Sequence, residues 1–149
     1  SPIYTGKMTV LADIMQDSVA PEFYIEDETK WKWYKSSKKE KRITPDGFEY
    51  WYSEGALPYP DPTDRPARTL LTNEGSKTAS RTKHAIHDGK GVRILTPIEM
   101  ERINMFPDDH TLIPGISNPK RGFMMGNALV VGIVERLGAQ LAQMETELV

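Results

Sequence analysis

RILTPIEMER, residues 93–102, holds all the signals of a helix start. Thr96 is placed as N-cap, Pro97 at the first helical position, and Glu99 three residues on completes a capping box, in which threonine and glutamate satisfy each other's orphan backbone donors. Leu95 and Met100 can close a hydrophobic staple over the same turn. A short helix of about ten residues is expected, ending near Met105, because Phe106 precedes Pro107 and is biased away from helical dihedrals.

On the C-terminal side, Pro114, Gly115, Pro119 and Gly122 predict a loop. Residues 127–144 follow as the most apolar segment, with Leu129, Val130, Ile133, Val134, Leu137 and Leu141 at helical spacing. The preceding 126 residues offer no obvious apolar partner. This helix is therefore expected to dock against something outside the chain, with docking on its own core as the alternative; alone, it should fold back or dimerise.

On the N-terminal side, RTLLT, residues 68–72, reads as a short strand followed by a turn-rich stretch, residues 73–80. From residue 65 to residue 93 there are seven Lys or Arg against two acids, Glu74 and Asp88. Such a loop suits contact with phosphates and base edges, and equally an ordinary solvated hairpin. Residues 55–66 gather prolines and aspartates into a long irregular loop, and GFEYWY, residues 47–52, reads as a strand. KWKWYKSSKKEKR, residues 30–42, carries seven basic residues against one acid with three aromatics interleaved, either a solvated helix face or a phosphate-contacting one. Val10, Leu11, Ile14 and Met15 are spaced for a short amphipathic helix begun near Thr9; beyond Pro21, residues 22–26 suit a brief strand or an extended lead-in.

A chain of 149 residues with 38% hydrophobic composition is long enough for one domain or a piece of one. Eleven prolines and eleven glycines, with a mean hydropathy of -0.51, point to a loop-rich body with a modest core. No apolar run approaches the roughly 20 residues of a membrane span and no signal-peptide pattern is present, so a cytoplasmic protein without a membrane partner is expected. The absence of cysteine excludes disulfides, thiolate metal sites and a cysteine nucleophile in this chain. A net charge of -2 argues against nonspecific coating of nucleic acid.

Two of these segments carry a resemblance. Residues 93–102, followed by Met105-Phe106-Pro107-Asp108, are similar to the ninth sequence motif of the cytosine-5 DNA methyltransferase family. Gly126-Asn127-Ala128-Leu129-Val130-Val131 is similar to the tenth, in which a Gly-Asn pair opens the closing helix. Arg68-Thr69-Leu70 resembles the Thr-Leu dipeptide of the family's target-recognition region, and residues 8–24 look like the connector after the eighth motif. The resemblance divides the chain into a connector (residues 1–28), a target-recognition region (residues 29–92), a ninth-motif segment (residues 93–125) and a tenth-motif helix (residues 126–149). Met124-Met125, where an aromatic is common, and Ala128, where serine is common, depart from the family pattern.

The family's Phe-x-Gly-x-Gly loop, Pro-Cys nucleophile, Glu-Asn-Val and Gln-x-Arg-x-Arg motifs do not occur here. In such enzymes the nucleophile adds to the cytosine ring, a step suited to a thiolate. The resemblance therefore implies the C-terminal portion of a DNA (cytosine-5-)-methyltransferase, inactive alone. It would be either a fragment, which a start at Ser1-Pro2 favours, or a natural small subunit. The implied fold is α/β (α+β): a small irregular domain with short, mostly antiparallel strands, plus C-terminal helices that pack on a separate S-adenosylmethionine-binding domain.

The implied partners are double-stranded DNA, from which the target base is flipped, and the catalytic N-terminal part or large subunit. Arg68, Thr69, Leu70, Arg81, Lys83 and His84 are the expected DNA-contacting residues, with Arg81 and Lys83 reaching guanine or phosphate. Asn127, Ala128 and Leu129 are expected to line the S-adenosylmethionine pocket, and Arg93, Thr96 and Glu99 to be structural. His84 and His87 lack a further ligand cluster, so no metal is expected. The competing readings are a stand-alone DNA-binding module and a protein-interaction domain whose basic loops are merely solvated.

Overall fold

The computed structural model describes residue 6 and residues 8–147, and the side chains among these up to residue 144. The start of the expected connector and the last two residues of the expected tenth-motif helix lie outside the described residues.

The fold is α+β. Helix α1 (Thr29–Lys35) leads into a hairpin of β1 (Lys38–Ile43) and β2 (Glu49–Glu54), and a second, smaller hairpin pairs β3 (Ile86–His87) with β4 (Val92–Arg93). Helices α2 (Pro97–Ile103), α3 (Asn118–Asn127) and α4 (Val131–Glu147) follow. The first hairpin is in register from Lys38↔Glu54 to Ile43↔Glu49, closed by a turn in which Thr44 and Phe48 exchange hydrogen bonds and Gly47 takes φ 88°.

Two apolar clusters hold the domain together. Leu11, Leu70, Ile86, Leu95, Met100 and Met125 form one; Trp31, Ala85, Val92 and Ile94 form the other. Full burial of a side chain such as Leu or Ile is worth about 1.5–3 kcal/mol, and the first cluster draws on residues from the N-terminal turn to α3. Residues 85–100 lie between the clusters and contribute to both.

Local signals account for the elements that formed as expected. At α2 the Thr96 side chain accepts from the Glu99 N–H at 3.2 Å and the Glu99 carboxylate accepts from the Thr96 N–H at 2.9 Å. The helix ends at Asn104, and Met105 takes a left-handed φ of 62° just before Phe106-Pro107.

Four expectations are corrected in whole or in part. The helix near Thr9 is a single 3-10 turn, Leu11–Ile14, because the Leu11 and Ala12 N–H groups donate to Arg65 and Thr63 carbonyls, each at 2.8 Å. Residues 21–23 form another 3-10 turn; Phe23 and Ile25 then bond alongside β4 through Ile94 and Val92. Residues 68–72 form no strand: the Arg68 N–H donates to His84 Nε2 at 3.1 Å and the Leu71 carbonyl closes a turn with the Glu74 N–H. The loop expected around Pro119 and Gly122 is helix α3, since Pro119 falls in the first turn, where its missing N–H costs nothing. Gly126-Asn127 accordingly closes α3 instead of opening the last helix.

α4 does not fold back on the domain. Apart from Gly132, its described residues are exposed, with Ile133, Leu137 and Leu141 at 57%, 60% and 63%. Residues 118–144 together have the length and apolar content of a membrane-crossing helix. Ala128 is extended at ψ 152°, however, and breaks the run into helices of 10 and 17 residues, each below the roughly 20 needed to span.

Candidate nucleic-acid interface

The segment expected at DNA is organised by buried charge. Asp61 accepts from the Lys35 ammonium at 2.5 Å, from Arg68 Nε at 3.0 Å and from the Ala85 N–H at 2.8 Å. The remaining Arg68 donors go to the Thr82 and Lys83 carbonyls at 2.7 and 3.0 Å. Burial pulls the Lys35 ammonium below its ordinary pKa in spite of the Asp61 carboxylate beside it.

His84 is enclosed with Glu74. The Arg68 N–H donates to Nε2, so Nδ1 carries the proton and donates to Glu74 Oε1 at 2.7 Å, while the His84 backbone N–H donates to the other carboxylate oxygen at 3.0 Å. Lys83 points inward: its ammonium donates to the Ser76 carbonyl and hydroxyl and to the Thr78 carbonyl, at 3.1, 2.6 and 2.7 Å, and burial lowers its pKa. Arg81 pairs with Glu54 at 3.1 Å and donates to the carbonyls of Tyr34, Ser36 and Gly55, anchoring the base of the β1–β2 hairpin to the loop.

The donors of Arg68, Arg81 and Lys83 are thus engaged within the chain, both ring nitrogens of His84 are engaged, and Leu70 is buried in the core. Of the six residues expected at DNA, Thr69 is the exposed one, on a crest continued by Leu71, Thr72 and Asn73. His87 accepts the Gly89 N–H at Nδ1, and no group of three metal-ligating side chains occurs among the described residues.

A second buried network centres on Arg93. The Arg93 guanidinium donates to both Glu99 oxygens at 2.8 and 2.7 Å and to Asp88 at 2.8 Å; Glu99 also accepts from the Gln16 N–H, so that the connector, the β3–β4 hairpin and α2 meet on one buried ion pair. Burial alone would raise the Asp88 carboxyl, but the Tyr24 hydroxyl, the Lys90 and Gly91 N–H groups and Arg93 hold it well below the usual carboxylate range.

Asn127 is the last residue of α3, and Ala128 and Leu129 lie in the break before α4. Asn127 Nδ2 donates back to the Phe123 carbonyl at 2.8 Å, and Leu129 is 73% exposed. Asn104, which sequence reasoning missed, clamps the break from below: its side chain donates to the Met125 carbonyl and its own carbonyl accepts the Val131 N–H, at 2.8 and 3.0 Å. The crest touches the end of α3 just before the break. A Cβ on Gly126 would stand 2.4 Å from Leu71 C and Thr72 N, and one on Gly122 would stand 2.6 Å from the Gly75 backbone. Main chain packs on main chain there, so the segment expected at DNA and the segment expected at the cofactor form one surface. Asp61, Glu74 and Asn104 could be found from sequence only by pairing them with Lys35, His84 and Met125, far away in the chain.

Compared with known proteins, residues 2–143 match the family C-5 cytosine-specific DNA methylase. Over 142 residues the chain is 39% identical to the Type II methyltransferase M.Sau3AI of Staphylococcus aureus, a match covering 94% of this chain and 34% of the relative. The chain thus spans about a third of the length of that relative.

Proposed function

The chain belongs to the C-5 cytosine-specific DNA methylase family, and from that premise we propose that it is the C-terminal portion of a DNA (cytosine-5-)-methyltransferase, serving to recognise a short duplex target and complete the S-adenosylmethionine pocket. The observation that supports this reading is the backbone contact of Gly126 with Leu71 and Thr72, which brings the segment expected at DNA against the segment expected at the cofactor.

The crest of Thr69 and residues 71–73 would face the DNA, with Arg68, Arg81, Lys83 and His84 holding its shape from behind. Leu70 would act likewise, through the core. At the break, Asn127, Ala128 and Leu129 would form one edge of the cofactor pocket. The exposed apolar Leu129 and an extended peptide suit an edge, though not a whole pocket. S-adenosylmethionine, when bound, supplies the methyl group. Arg93, Thr96 and Glu99 would fix this surface relative to the connector.

With no cysteine here, the thiolate nucleophile would come from the catalytic part of the enzyme. The uncovered apolar side of α4 would pack on that part, which would hold the flipped cytosine. Residues 1–28, 29–92, 93–125 and 126–149 would then serve as connector, recognition region, ninth-motif segment and tenth-motif segment.

The test is methyl transfer from labelled S-adenosylmethionine to cytosine-containing duplex DNA, with the chain alone and mixed with a cysteine-bearing catalytic part. Activity in the mixture only is expected. Activity from the chain alone would overturn the mechanism, and an inactive mixture with DNA binding intact would leave a stand-alone DNA-binding module.

A further inference from the structure

The cations that sequence singles out for DNA are engaged inside the domain, whereas a different set is not. Lys30 on α1, Lys38 at the start of β1 and Lys77 in the loop before β3 make no ion pair or hydrogen bond to a carboxylate among the described residues. By contrast, their neighbours Lys32, Lys41 and Arg42 are paired with Glu28, Glu49 and Glu40.

Lys39, Lys90 and Lys120 also lack a carboxylate partner among the described residues but engage the Trp51 ring, the Asp17 carbonyl and the Phe123 ring; Lys30, Lys38 and Lys77 converge on one surface. Lys30, Lys77 and Thr78 line an open cleft of about 380 Å³ between α1 and the loop, and Lys30, Thr78 and Trp33 line an adjoining one of similar size. Lys38 places its ammonium 4.7 Å from the centre of the Trp33 ring, which is itself 60% exposed. The buried Lys83 ammonium, bonded to the Thr78 carbonyl, holds the loop that presents Lys77. The two carboxylates of the cleft, Glu26 and Asp27, are neighbours in the chain where it enters α1, and Asp27 accepts the Thr29 N–H at 2.9 Å.

We infer that Lys30, Lys38 and Lys77, arrayed around Trp33, form a sequence-neutral track for the phosphates of duplex DNA, separate from the crest at Thr69. The inference rests on the reading of the chain as a DNA-recognising portion. Unpaired ammonium groups beside an exposed aromatic match a polyanion with apolar sugar edges, and phosphate contacts position a protein on a duplex without reading its sequence. The wild-type chain has a net charge of -2, so a localised track, not the overall charge, would supply the attraction.

The test uses the full chain and two duplexes, one random in sequence and one selected by the wild-type protein from a randomised pool. Affinity is measured against salt for the wild type, for Lys30→Gln/Lys38→Gln/Lys77→Gln, for Lys77→Glu alone, and for Lys41→Gln, whose lysine is exposed and paired with Glu49. Each lost phosphate contact reduces the slope of log affinity against log salt by about 0.9. The triple variant should therefore lose about 2.7 of the wild-type slope, keep its preference for the selected duplex within twofold, and leave Lys41→Gln at the wild-type slope. Lys77→Glu, on an exposed loop, should weaken both duplexes alike. An unchanged slope in the triple variant, or an equal fall in Lys41→Gln, overturns the inference while target preference upholds the functional reading. Loss of preference with the slope intact means that these lysines read sequence and also overturns it. A wild-type chain that binds every duplex equally, with the triple-variant slope falling as expected, overturns the functional reading and keeps the track; no duplex binding at all overturns both.

Discussion

Replacing Arg93 by glutamine removes the guanidinium from a site where Glu99 and Asp88 are both held out of water. Two carboxylates would be left without their partner, and breaking a buried pair from one side costs about 3–5 kcal/mol. Arg93→Gln should fall by that amount in chemical denaturation, where a solvated surface pair would move it by less than about 1 kcal/mol. Asp88 gives a pH test of the same network. Its folded carboxyl lies well below its unfolded value, near 3.9, so its contribution to stability is present above that value and lost as the pH falls from there toward the folded one. Asp88→Asn should melt less steeply with falling pH between about pH 4 and pH 2 than the wild type, as read by thermal unfolding. An identical acid profile would show that other carboxylates carry the loss. At this scale sequence showed types and not partners. Counting cations marked residues 65–93 as basic, but nothing local reveals that Lys83 turns inward to carbonyls while Lys77 does not.

Among elements, α2 could be read from its sequence because Thr96 and Glu99 are three residues apart and complete each other without outside help. α3 could not. Pro119 and Gly122 read as loop residues, yet Pro119 falls in the first turn of a helix and the Gly75 backbone lies where a side chain on residue 122 would be, a contact between segments 47 positions apart (122 minus 75). Likewise the strand expected at residues 68–72 is displaced by one side chain, the His84 ring on the Arg68 N–H. Gly126→Ala tests this packing: a Cβ 2.4 Å from the main chain of Leu71 and Thr72 cannot be absorbed by turning a side chain. The variant should lose about 1–3 kcal/mol of stability and, combined with the catalytic part, lose methyl transfer by more than its unfolded fraction explains. Full activity in the folded fraction would mean that crest and break need not be held together.

For the whole molecule, the apolar surplus of the last helix follows from periodicity and the α+β class from the family resemblance, whereas the direction in which α4 leaves the domain depends on the extended Ala128 and the Asn104 clamp. With Leu137 and Leu141 uncovered, Leu137→Glu/Leu141→Glu should leave the thermal stability of the isolated chain unchanged within about 0.5 kcal/mol, as for surface substitutions. Under the proposed function it should also abolish association with the catalytic part in sedimentation experiments while duplex binding persists. Retained association would place that contact elsewhere. The glycine pair at 75 and 122 has a consequence for how such a protein can change over evolutionary time. The crest is seated by main-chain atoms, and its loop is held largely through carbonyls, so few of its outward side chains are needed to keep it in place. Those side chains can be exchanged, or a neighbouring stretch transplanted from a relative, with the footing intact. Under the proposed function, new target preferences would then become reachable by a few substitutions, without first inventing a new scaffold.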